Sequence, residues 1–436
     1  MKTTLTRALL FVSISATLVA CGGGSAPQDR AAKATTPDEI SLAVGGTPNE
    51  LQVWEKIAVE FEQQTSTHVN LIRQPTGTDQ RRQGLIIPLK AGESDPDVFL
   101  MDVAWISQFA ASGWLDTLDA DGGVKTEAFF AKVVDLADRF DGKLIALPVY
   151  VDAGMLYYRR DLLEANGIKE PPATWEDMIR IAKMIQAKER VRNPKFFGFV
   201  WQGAQYEGLI CNFLEFAGSH NGGLLLENGR VSLATPQNAA ALTMMRGFLE
   251  GEAISPPNTY TEMKEEEVRS VFQGGDALFE RNWPYAYALH ESPESPVRDK
   301  TGIASLPHAP SGPSVSTLGG WHVGVSKFSN SKAQARKFVA FLTSFETQKR
   351  LVMDLGWNPG RTDVYADTEV LAKYPHFAAL KAVFEHAVPR PNLPYYTQIS
   401  DAIQKPINAV LAGKMDPMAG LKQAEAEAQK AVDMYQ

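Results

Sequence analysis

The amino-terminal part of the folded sequence alternates between short β-rich runs and helical patterns, and this order constrains the fold most strongly. Ile40–Val44 is a β-rich run that ends in Gly45-Gly46. The next residues, Thr47–Glu50, have the composition of a helix start, with threonine at the cap, proline next and glutamate at the third position. Val69–Ile72 and Asp97–Met101 are further β-rich runs. This alternation predicts an α/β fold with a mostly parallel sheet.

The chain length predicts more than one domain. With 436 residues, of which 44% are hydrophobic, the sequence is globular but too long for one ordinary core. We predict a polar loop over Gln74–Gln83 and, towards the end of the chain, helices over Pro406–Leu411 and Leu421–Met434. No internal repeat is present in the sequence.

The first residues are a targeting segment and not part of the fold. Residues 1–20 combine two basic residues with an apolar run that ends in small residues, which is typical of a signal peptide. Leu18–Cys21 resembles a bacterial lipobox, so we expect Cys21 to be lipidated after cleavage, with residues 21–37 as a flexible tether. The alternative is a plain secretory signal with an incidental cysteine. Lipidation of Cys21 would leave Cys211 without a disulfide partner.

Charge and motifs exclude several classes of function. Removal of residues 1–20 takes away two basic residues and no acid, so the net charge falls from −8 to −10. An acidic chain argues against nucleic acid and anionic membrane surfaces as partners. The sequence contains no H-E-x-x-H, G-x-S-x-G, Walker or G-x-G-x-x-G motif. We therefore expect no enzymatic activity, no metal and no cofactor.

Four stretches resemble a known protein family, the family 1 extracellular solute-binding proteins of ABC importers, and within it the trehalose/maltose-binding lipoproteins. The stretches are Pro96–Leu118, Gly142–Trp175, Phe279–Ala286 and Gly319–Val325. The resemblance covers essentially the whole chain after the tether.

The resemblance implies a two-lobe periplasmic-binding-protein fold with the ligand cleft between the lobes. In that family the chain crosses between the lobes three times, and the hinge consists of these crossings. Carried over, lobe one is formed by residues 38–150 plus 323–362, and lobe two by residues 153–318 plus 368–436. The crossings are then expected near Tyr150–Gly154, Leu318–His322 and Thr362–Val370.

A sugar site needs polar groups for the hydroxyls and aromatic faces for the apolar side of the ring, and the family positions carry both. Glu50 and Asp102 follow strands, although each is also a good helix-capping residue. Arg81 and Arg82 lie in the polar segment, and which of them reaches the ligand is left open. The resemblance implies ligand contacts for Glu50, Asp102, Tyr150, Asp152, Tyr206, Trp283, Tyr285, Gly320, Trp321 and Arg390.

The predicted function is capture of a sugar outside the cytoplasm. The resemblance implies a lipid-anchored, monomeric protein, facing the periplasm or held on the cell membrane. It would bind a trehalose/maltose-type disaccharide by hinge closure and deliver it to the membrane permease subunits of an ABC importer. Two alternatives remain. One is a binding protein for glycerol-3-phosphate or its diesters, and the other is a lipid-anchored glycoside hydrolase, because paired carboxylates also occur in that class.

Overall fold

The computed structural model describes residues 38–120 and 124–435. The predicted signal peptide of residues 1–20, the lipidation site Cys21 and the tether of residues 21–37 lie outside the described residues. Among those that are described, no helix is long and apolar enough to cross a membrane.

The strands are short, and the last of them ends at Val325. They are β1 Glu39–Gly45, β2 His68–Gln74, β3 Val98–Asp102, β4 Arg139–Phe140, β5 Lys143–Leu144, β6 Ala146–Ala153, β7 Met155–Arg159, β8 Phe197–Val200, β9 Leu225–Glu227, β10 Arg230–Ser232, β11 Ala277–Asn282, β12 Thr301–Ala304 and β13 Leu318–Val325.

The helices alternate with these strands and include several of a single turn. They are α1 Pro48–Thr65, α2 Thr78–Ala91, α3 Ile106–Ala111, α4 Ala131–Val133, α5 Arg160–Ala165, α6 Trp175–Glu189, α7 Glu207–Ser219, α8 Pro236–Leu249, α9 Thr259–Glu262, α10 Glu265–Gln273, α11 Ala286–His290, α12 Lys332–Leu342, α13 Phe345–Leu355, α14 Thr368–Lys373, α15 Phe377–His386, α16 Tyr396–Leu411 and α17 Pro417–Asp433.

The first sheet has the strand order β2-β1-β3-β13-β6. Its strand β1 runs parallel to β2 and β3, while β13 runs antiparallel to both β3 and β6. One reversed strand in five agrees with the predicted mostly parallel sheet. The apolar faces of α1, α12 and α13 pack on this sheet, around Trp54, Phe61 and Phe338.

The second sheet has the order β12-β7-β11-β8, and the chain enters it directly from the first. Strand β6 belongs to the first sheet and β7 to the second, with only Gly154 between them. A side chain at Gly154 would collide with the buried Glu215, since a Cβ there would lie 2.1 Å from Oε1. Helices α6, α7, α8, α16 and α17 share the core on this side. The predicted α/β fold with two lobes is thus confirmed, and the residue boundaries of the lobes remain a prediction.

Two local predictions are wrong. The segment Gln74–Gln83 is not a loop, because α2 begins at Thr78. The buried positions of α2 are Arg81, Arg82, Leu85 and Leu89, and two arginines interrupt the apolar stripe by which a helix is recognised.

The predicted helix start at Pro406 is also wrong, since Pro406 lies inside α16. A proline costs a helix one backbone hydrogen bond, and a start at that position avoids the cost. Here the helix continues through it because a long buried face, with Ile399, Ile403 and Ile407, holds it against α7 and α17.

Candidate functional site

A cavity of about 250 Å³ lies between the two sheets and contains almost all of the predicted site residues. Of the ten, only Tyr206 does not line it. That tyrosine is buried, with its ring packed over Gly208, while its neighbours Glu207 and Gly208 face the cavity. The predicted residues that line it are Glu50, Asp102, Tyr150, Asp152, Trp283, Tyr285, Gly320, Trp321 and Arg390.

Strand pairing in the first sheet fixes three of these residues side by side. In β13, Trp321 is paired with Asp102 of β3 on one side and with Tyr150 of β6 on the other. The neighbouring Gly320 has φ +129°, and a Cβ there would approach the carbonyl oxygen of Tyr150 to 2.5 Å. Only glycine suits that position, because the backbone is in a region that favours it and there is no room for a side chain.

Glu50 is both a helix cap and a cavity residue. The backbone N–H of Thr47 donates to Oε2 of Glu50 at 2.5 Å, so the predicted capping interaction is present. The carboxyl group also lines the cavity. Burial raises the pKa of Glu50, against the opposing effects of the Thr47 hydrogen bond and the charge of Arg81.

Asp102 caps the turn after β3, as its sequence position also allows, and it takes part in an ion-pair network. Its Oδ1 accepts from the N–H of Ala104 and from Nη2 of Arg390, both at 2.8 Å. Nη1 of Arg390 donates to Oε1 of Glu207 at 2.9 Å. Arg390 therefore joins the end of β3 to the start of α7, and its guanidinium is shared between two carboxylates.

The network around Arg390 is almost fully buried, and burial moves its pKa values. Burial alone lowers the pKa of Arg390, but the carboxylate of Asp102 and other groups, including Glu207, raise it well above its usual value. Burial raises the pKa of Asp102 in spite of Arg390. Glu207 also accepts from the hydroxyl of Tyr396 at 2.8 Å. The sequence does not reveal this network, because its members are far apart along the chain.

Asp152 sits opposite Gly319 in the β6–β13 pairing, as the second-last residue of β6 before the chain leaves the first sheet. Burial, followed by the charge of Asp102, raises its pKa to about 7, while Arg281 acts in the opposite direction. A carboxyl group with such a pKa is present in both protonation states near neutral pH, so it is able to donate or accept a hydrogen bond.

The second sheet supplies an aromatic wall. Trp283 and Tyr285 follow β11 and are half-buried. The guanidinium carbon of Arg281 lies 4.0 Å from the ring centre of Trp283, and the hydroxyl of Tyr285 donates to Glu266 Oε1 at 2.6 Å. Trp283 also touches the first sheet, since a Cβ on Gly319 would lie 3.0 Å from its ring. The aromatic wall is thus held in place by polar partners behind it.

The sequence did not decide whether Arg81 or Arg82 reaches the ligand site. In the structure Arg81 lines the cavity and Arg82 does not. Arg81 lies over Trp321, 4.4 Å from its ring centre, and its Nε donates to the carbonyl oxygen of Pro75 at 2.7 Å. Arg82 binds both carboxylate oxygens of Asp401 on α16, at 2.9 and 2.8 Å.

Several lining residues escape prediction from the sequence. Glu265, Glu266 and Glu267 follow Lys264 as a charged run, which normally indicates a solvated surface. In the structure the run begins α10 and faces the cavity. Trp357 also lines the cavity and packs on Tyr150, with ring centres 4.2 Å apart. Its signal is weak, because an isolated tryptophan in a sequence is more often part of a core.

Both sides of the cavity offer hydrogen-bonding groups together with aromatic faces. Carboxyl groups are able to bind hydroxyls, and ring faces cover apolar C–H surfaces. Within the part of the chain that the structure describes, no group of three or more His, Cys, Asp or Glu side chains is placed to hold a metal ion.

Comparisons with known proteins agree with this geometry. The profile of the bacterial extracellular solute-binding protein family matches residues 45–349. A probable ABC transporter-binding protein of Deinococcus radiodurans is 37% identical over 377 residues, covering 86% of this chain and 89% of the relative.

Solved structures are similar over nearly the full length. Maltose-bound MalE3 of T. maritima has a TM-score of 0.85 and 38% identity, and the match covers 90% of this chain and 99% of that one. A solute-binding protein of Agrobacterium radiobacter in complex with ribitol has a TM-score of 0.80 and 25% identity, with 90% and 98% covered.

Proposed function

The chain belongs to the bacterial extracellular solute-binding protein family, and from that premise we propose that its ligand is a trehalose/maltose-type disaccharide. The family places the protein outside the cytoplasm, as the binding component of an ABC transporter. The MalE3 structure at 38% identity holds maltose, which supports a disaccharide for this chain as well. The protein binds its ligand and does not convert it.

The observation that carries the proposal is the composition of the cavity. Trp321 lies in the first sheet and Trp283 follows a strand of the second, and Asp102, Asp152 and Glu50 line the same cavity. A hexose ring has an apolar face and a rim of hydroxyls, and it matches aromatic rings next to carboxyl groups. Ligand contacts with both lobes favour the closed form, because they are lost when the lobes separate.

The charge of the cavity argues against a phosphate ester. Acidic lining residues outnumber basic ones, and Arg390 is already paired with Asp102 and Glu207. A phosphate group would be repelled by this excess of carboxylates. The acidic lining residues are Glu50, Asp102, Asp152, Glu207, Glu265, Glu266 and Glu267, and the basic ones are Arg81, Lys264 and Arg390.

Titration calorimetry on the purified protein tests the ligand class. We expect saturable binding of trehalose or maltose and none of glycerol-3-phosphate, with glucose as the monosaccharide control. A melting-temperature increase with the same sugars gives a second readout, because a ligand stabilises the state it binds. Binding of the phosphate ester without binding of any disaccharide would contradict the proposal. Release of glucose from either disaccharide would show an enzyme instead.

We further propose that acylation of Cys21 anchors the protein and that the closed form docks on the permease subunits as a monomer. The lipobox-like Leu18–Cys21 supports the anchor. Expression of Cys21→Ser in a bacterial host that processes lipoproteins should move the protein from the membrane fraction to the soluble fraction. Equal membrane association of Cys21→Ser and wild type would contradict acylation.

A further inference from the structure

Behind the aromatic wall lies a buried polar network that does not line the cavity. Its members include Glu280 and Asn282 on β11 and His290 on α11, and none of these three residues is exposed to solvent. A carboxyl group, an amide and an imidazole in a core cost free energy unless they bond to one another or to the backbone. The contacts that these groups make therefore indicate what the network does.

The alternation of β11 places this network and the cation that supports Trp283 on different faces of the sheet. Glu280 and Asn282 point to one face, and Arg281 between them points to the other. Arg281 lies against the ring of Trp283, whereas Glu280 is opposite Tyr157 in the pairing with β7. The ring of Trp283 is therefore supported on one face of the sheet, and the network lies on the other.

Two buried side chains hold the backbone of Trp283. Oδ1 of Asn282 accepts from the N–H of Trp283 at 2.8 Å, and the hydroxyl of Tyr157 donates to the carbonyl oxygen of Trp283 at 2.9 Å. The same carbonyl oxygen accepts from the N–H of Ala286 at 3.2 Å. Since β11 ends at Asn282, strand pairing does not extend to Trp283, and these contacts take its place.

Glu280 fixes the direction of the Asn282 amide. Its Oε1 accepts from Nδ2 of Asn282 at 2.7 Å, and Nδ2 also donates to the carbonyl oxygen of Glu265 at 3.2 Å. The nitrogen of an amide donates and its oxygen accepts, so these two acceptors keep Oδ1 directed at the N–H of Trp283. Without the carboxyl group of Glu280, the amide loses the shorter of the two contacts that orient it.

The second carboxyl oxygen of Glu280 binds the helix that follows Trp283. Oε2 lies 2.7 Å from Nε2 of His290, which is the last residue of α11. The imidazole packs against Tyr157 and Phe272, with ring centres 5.2 and 4.8 Å away. One carboxyl group thus bonds both to the residue before Trp283 and to the end of the helix after it, and it closes this turn from behind.

We propose that Glu280 and Tyr157 are positioning residues for sugar binding. From behind the aromatic wall they set the place of the Trp283 ring, Glu280 through Asn282 and Tyr157 directly, and neither touches the ligand. The inference rests on the proposed function, because it takes Trp283 as a surface on which a sugar ring stacks. A ring that is in place before the sugar arrives does not have to be ordered on binding, so its support raises the affinity.

Two substitutions of Glu280 test this role in the purified protein. Glu280→Met removes both acceptors and keeps the length of the side chain, whereas Glu280→Gln retains an oxygen for Asn282 and a nitrogen that donates to His290. In calorimetry with maltose and trehalose, we expect the affinity to fall about tenfold or more in Glu280→Met and to stay within about threefold of wild type in Glu280→Gln. Equal losses in the two variants, or no loss in either, would overturn the inference alone. Failure of both sugars to bind wild type would overturn the proposed function.

Gln186→Met is the matched control, because it also removes buried hydrogen bonds near the second sheet. Gln186 accepts from the N–H of Gly198 at 2.7 Å and donates to the carbonyl oxygen of Ala253 at 3.0 Å, and it does not line the cavity. We expect a lower melting temperature, as in Glu280→Met, but an affinity within about twofold of wild type. A comparable loss of affinity in the control would mean that loss of stability alone weakens binding, and would overturn the role of Glu280.

Fluorine NMR of protein labelled with 5-fluorotryptophan reports on the Trp283 ring itself. The chain has eight tryptophans, and Trp283→Phe assigns the resonance of Trp283. Without sugar, we expect this resonance to shift in Glu280→Met and to return to its wild-type position in Glu280→Gln. An unshifted resonance in Glu280→Met would overturn the positioning role, whatever the affinity. This measurement needs no ligand, so its outcome does not depend on the proposed function.

A third variant decides the question if Glu280→Met does not fold. Tyr157→Phe removes only the hydroxyl that donates to the carbonyl oxygen of Trp283 and keeps the ring against His290. We expect sugar affinity to fall about three- to fivefold, because one hydrogen bond that holds Trp283 is lost. The fluorine resonance of Trp283 should shift as well. If either the affinity or the resonance were unchanged, the inference would be overturned.

Discussion

Each side of the cavity presents a tryptophan packed against an arginine, and the two pairs differ in what holds the arginine. On the second-sheet side, Arg281 lies 4.0 Å from Trp283 and binds Glu215 through Nε and Nη2, at 2.8 and 2.5 Å. On the first-sheet side, Arg81 lies 4.4 Å from Trp321. Its Nε donates to the carbonyl oxygen of Pro75, and its two Nη atoms donate no hydrogen bond to any described residue.

The pKa values of Arg81 and Arg281 are also shifted in opposite directions. Burial lowers the pKa of Arg81, and the surrounding charges do not compensate for it. Burial has the same tendency at Arg281, but Glu215 outweighs it and raises the pKa. The charge of Arg281 is thus neutralised by Glu215. Arg81, which lines the cavity, keeps N–H donors that bond to no described residue. We therefore propose that Arg81, beside Trp321, donates hydrogen bonds to the ligand, whereas Arg281, beside Trp283, holds that ring in place.

The largest effect, on the free energy of unfolding, is expected when Arg281 is removed from its contacts with Trp283 and Glu215. Arg281→Met removes the cation and leaves Glu215 buried without a counter-charge. We expect the free energy of unfolding to fall by about 3–5 kcal/mol, measured by urea denaturation. The double variant Arg281→Met, Glu215→Leu should recover much of this loss, because it removes both charges. If the free energy of unfolding of Arg281→Met fell by less than about 1 kcal/mol, Arg281 would contribute no more to stability than we expect of Arg81.

A smaller effect, on sugar affinity and not on stability, is expected when Arg81 is removed from its contact with Trp321. Arg81→Met should leave the free energy of unfolding within about 1 kcal/mol of wild type, since no carboxylate depends on Arg81 alone. Sugar affinity should fall by about 1.5–3 kcal/mol, or roughly 10- to 150-fold, because hydrogen bonds from a charged donor are lost. Calorimetry measures the affinity, with Arg82→Met as the neighbouring control. An unchanged affinity would remove Arg81 from the ligand site.

The same comparison shows what a sequence reveals about such a site. Asp102 was predictable from the residues, because it directly follows a β-rich run and strand ends meet at one edge of a sheet. Tyr150 and Trp321 were expected from the family resemblance. The position of Arg81 was not predictable, since it lies in α2, whose polar sequence lacks the apolar stripe by which a helix is recognised. The pairing of Arg390 with Glu207 and Asp102 spans separations of 183 and 288 residues, and no local pattern encodes that contact.

The smallest expected effect is a pH dependence of stability. It involves both sides of the cavity, because Asp152 belongs to the first sheet and Arg281, on the second, lowers its pKa. Its pKa is about 7 in the folded protein, against an ordinary value of 3.8. The folded state therefore binds more protons than the unfolded state between these values, and stability falls as pH rises towards about 7.

For this one group the slope is at most about 1.4 kcal/mol per pH unit. Urea denaturation of the ligand-free protein between pH 5 and pH 8 measures it. Asp152→Asn should flatten the curve, since the amide does not titrate, whereas Arg281→Met should extend the loss to higher pH by removing the charge that favours the ionised form. Identical curves for Asp152→Asn and wild type would mean that Asp152 ionises normally. The two sides of the cavity would then be electrostatically independent.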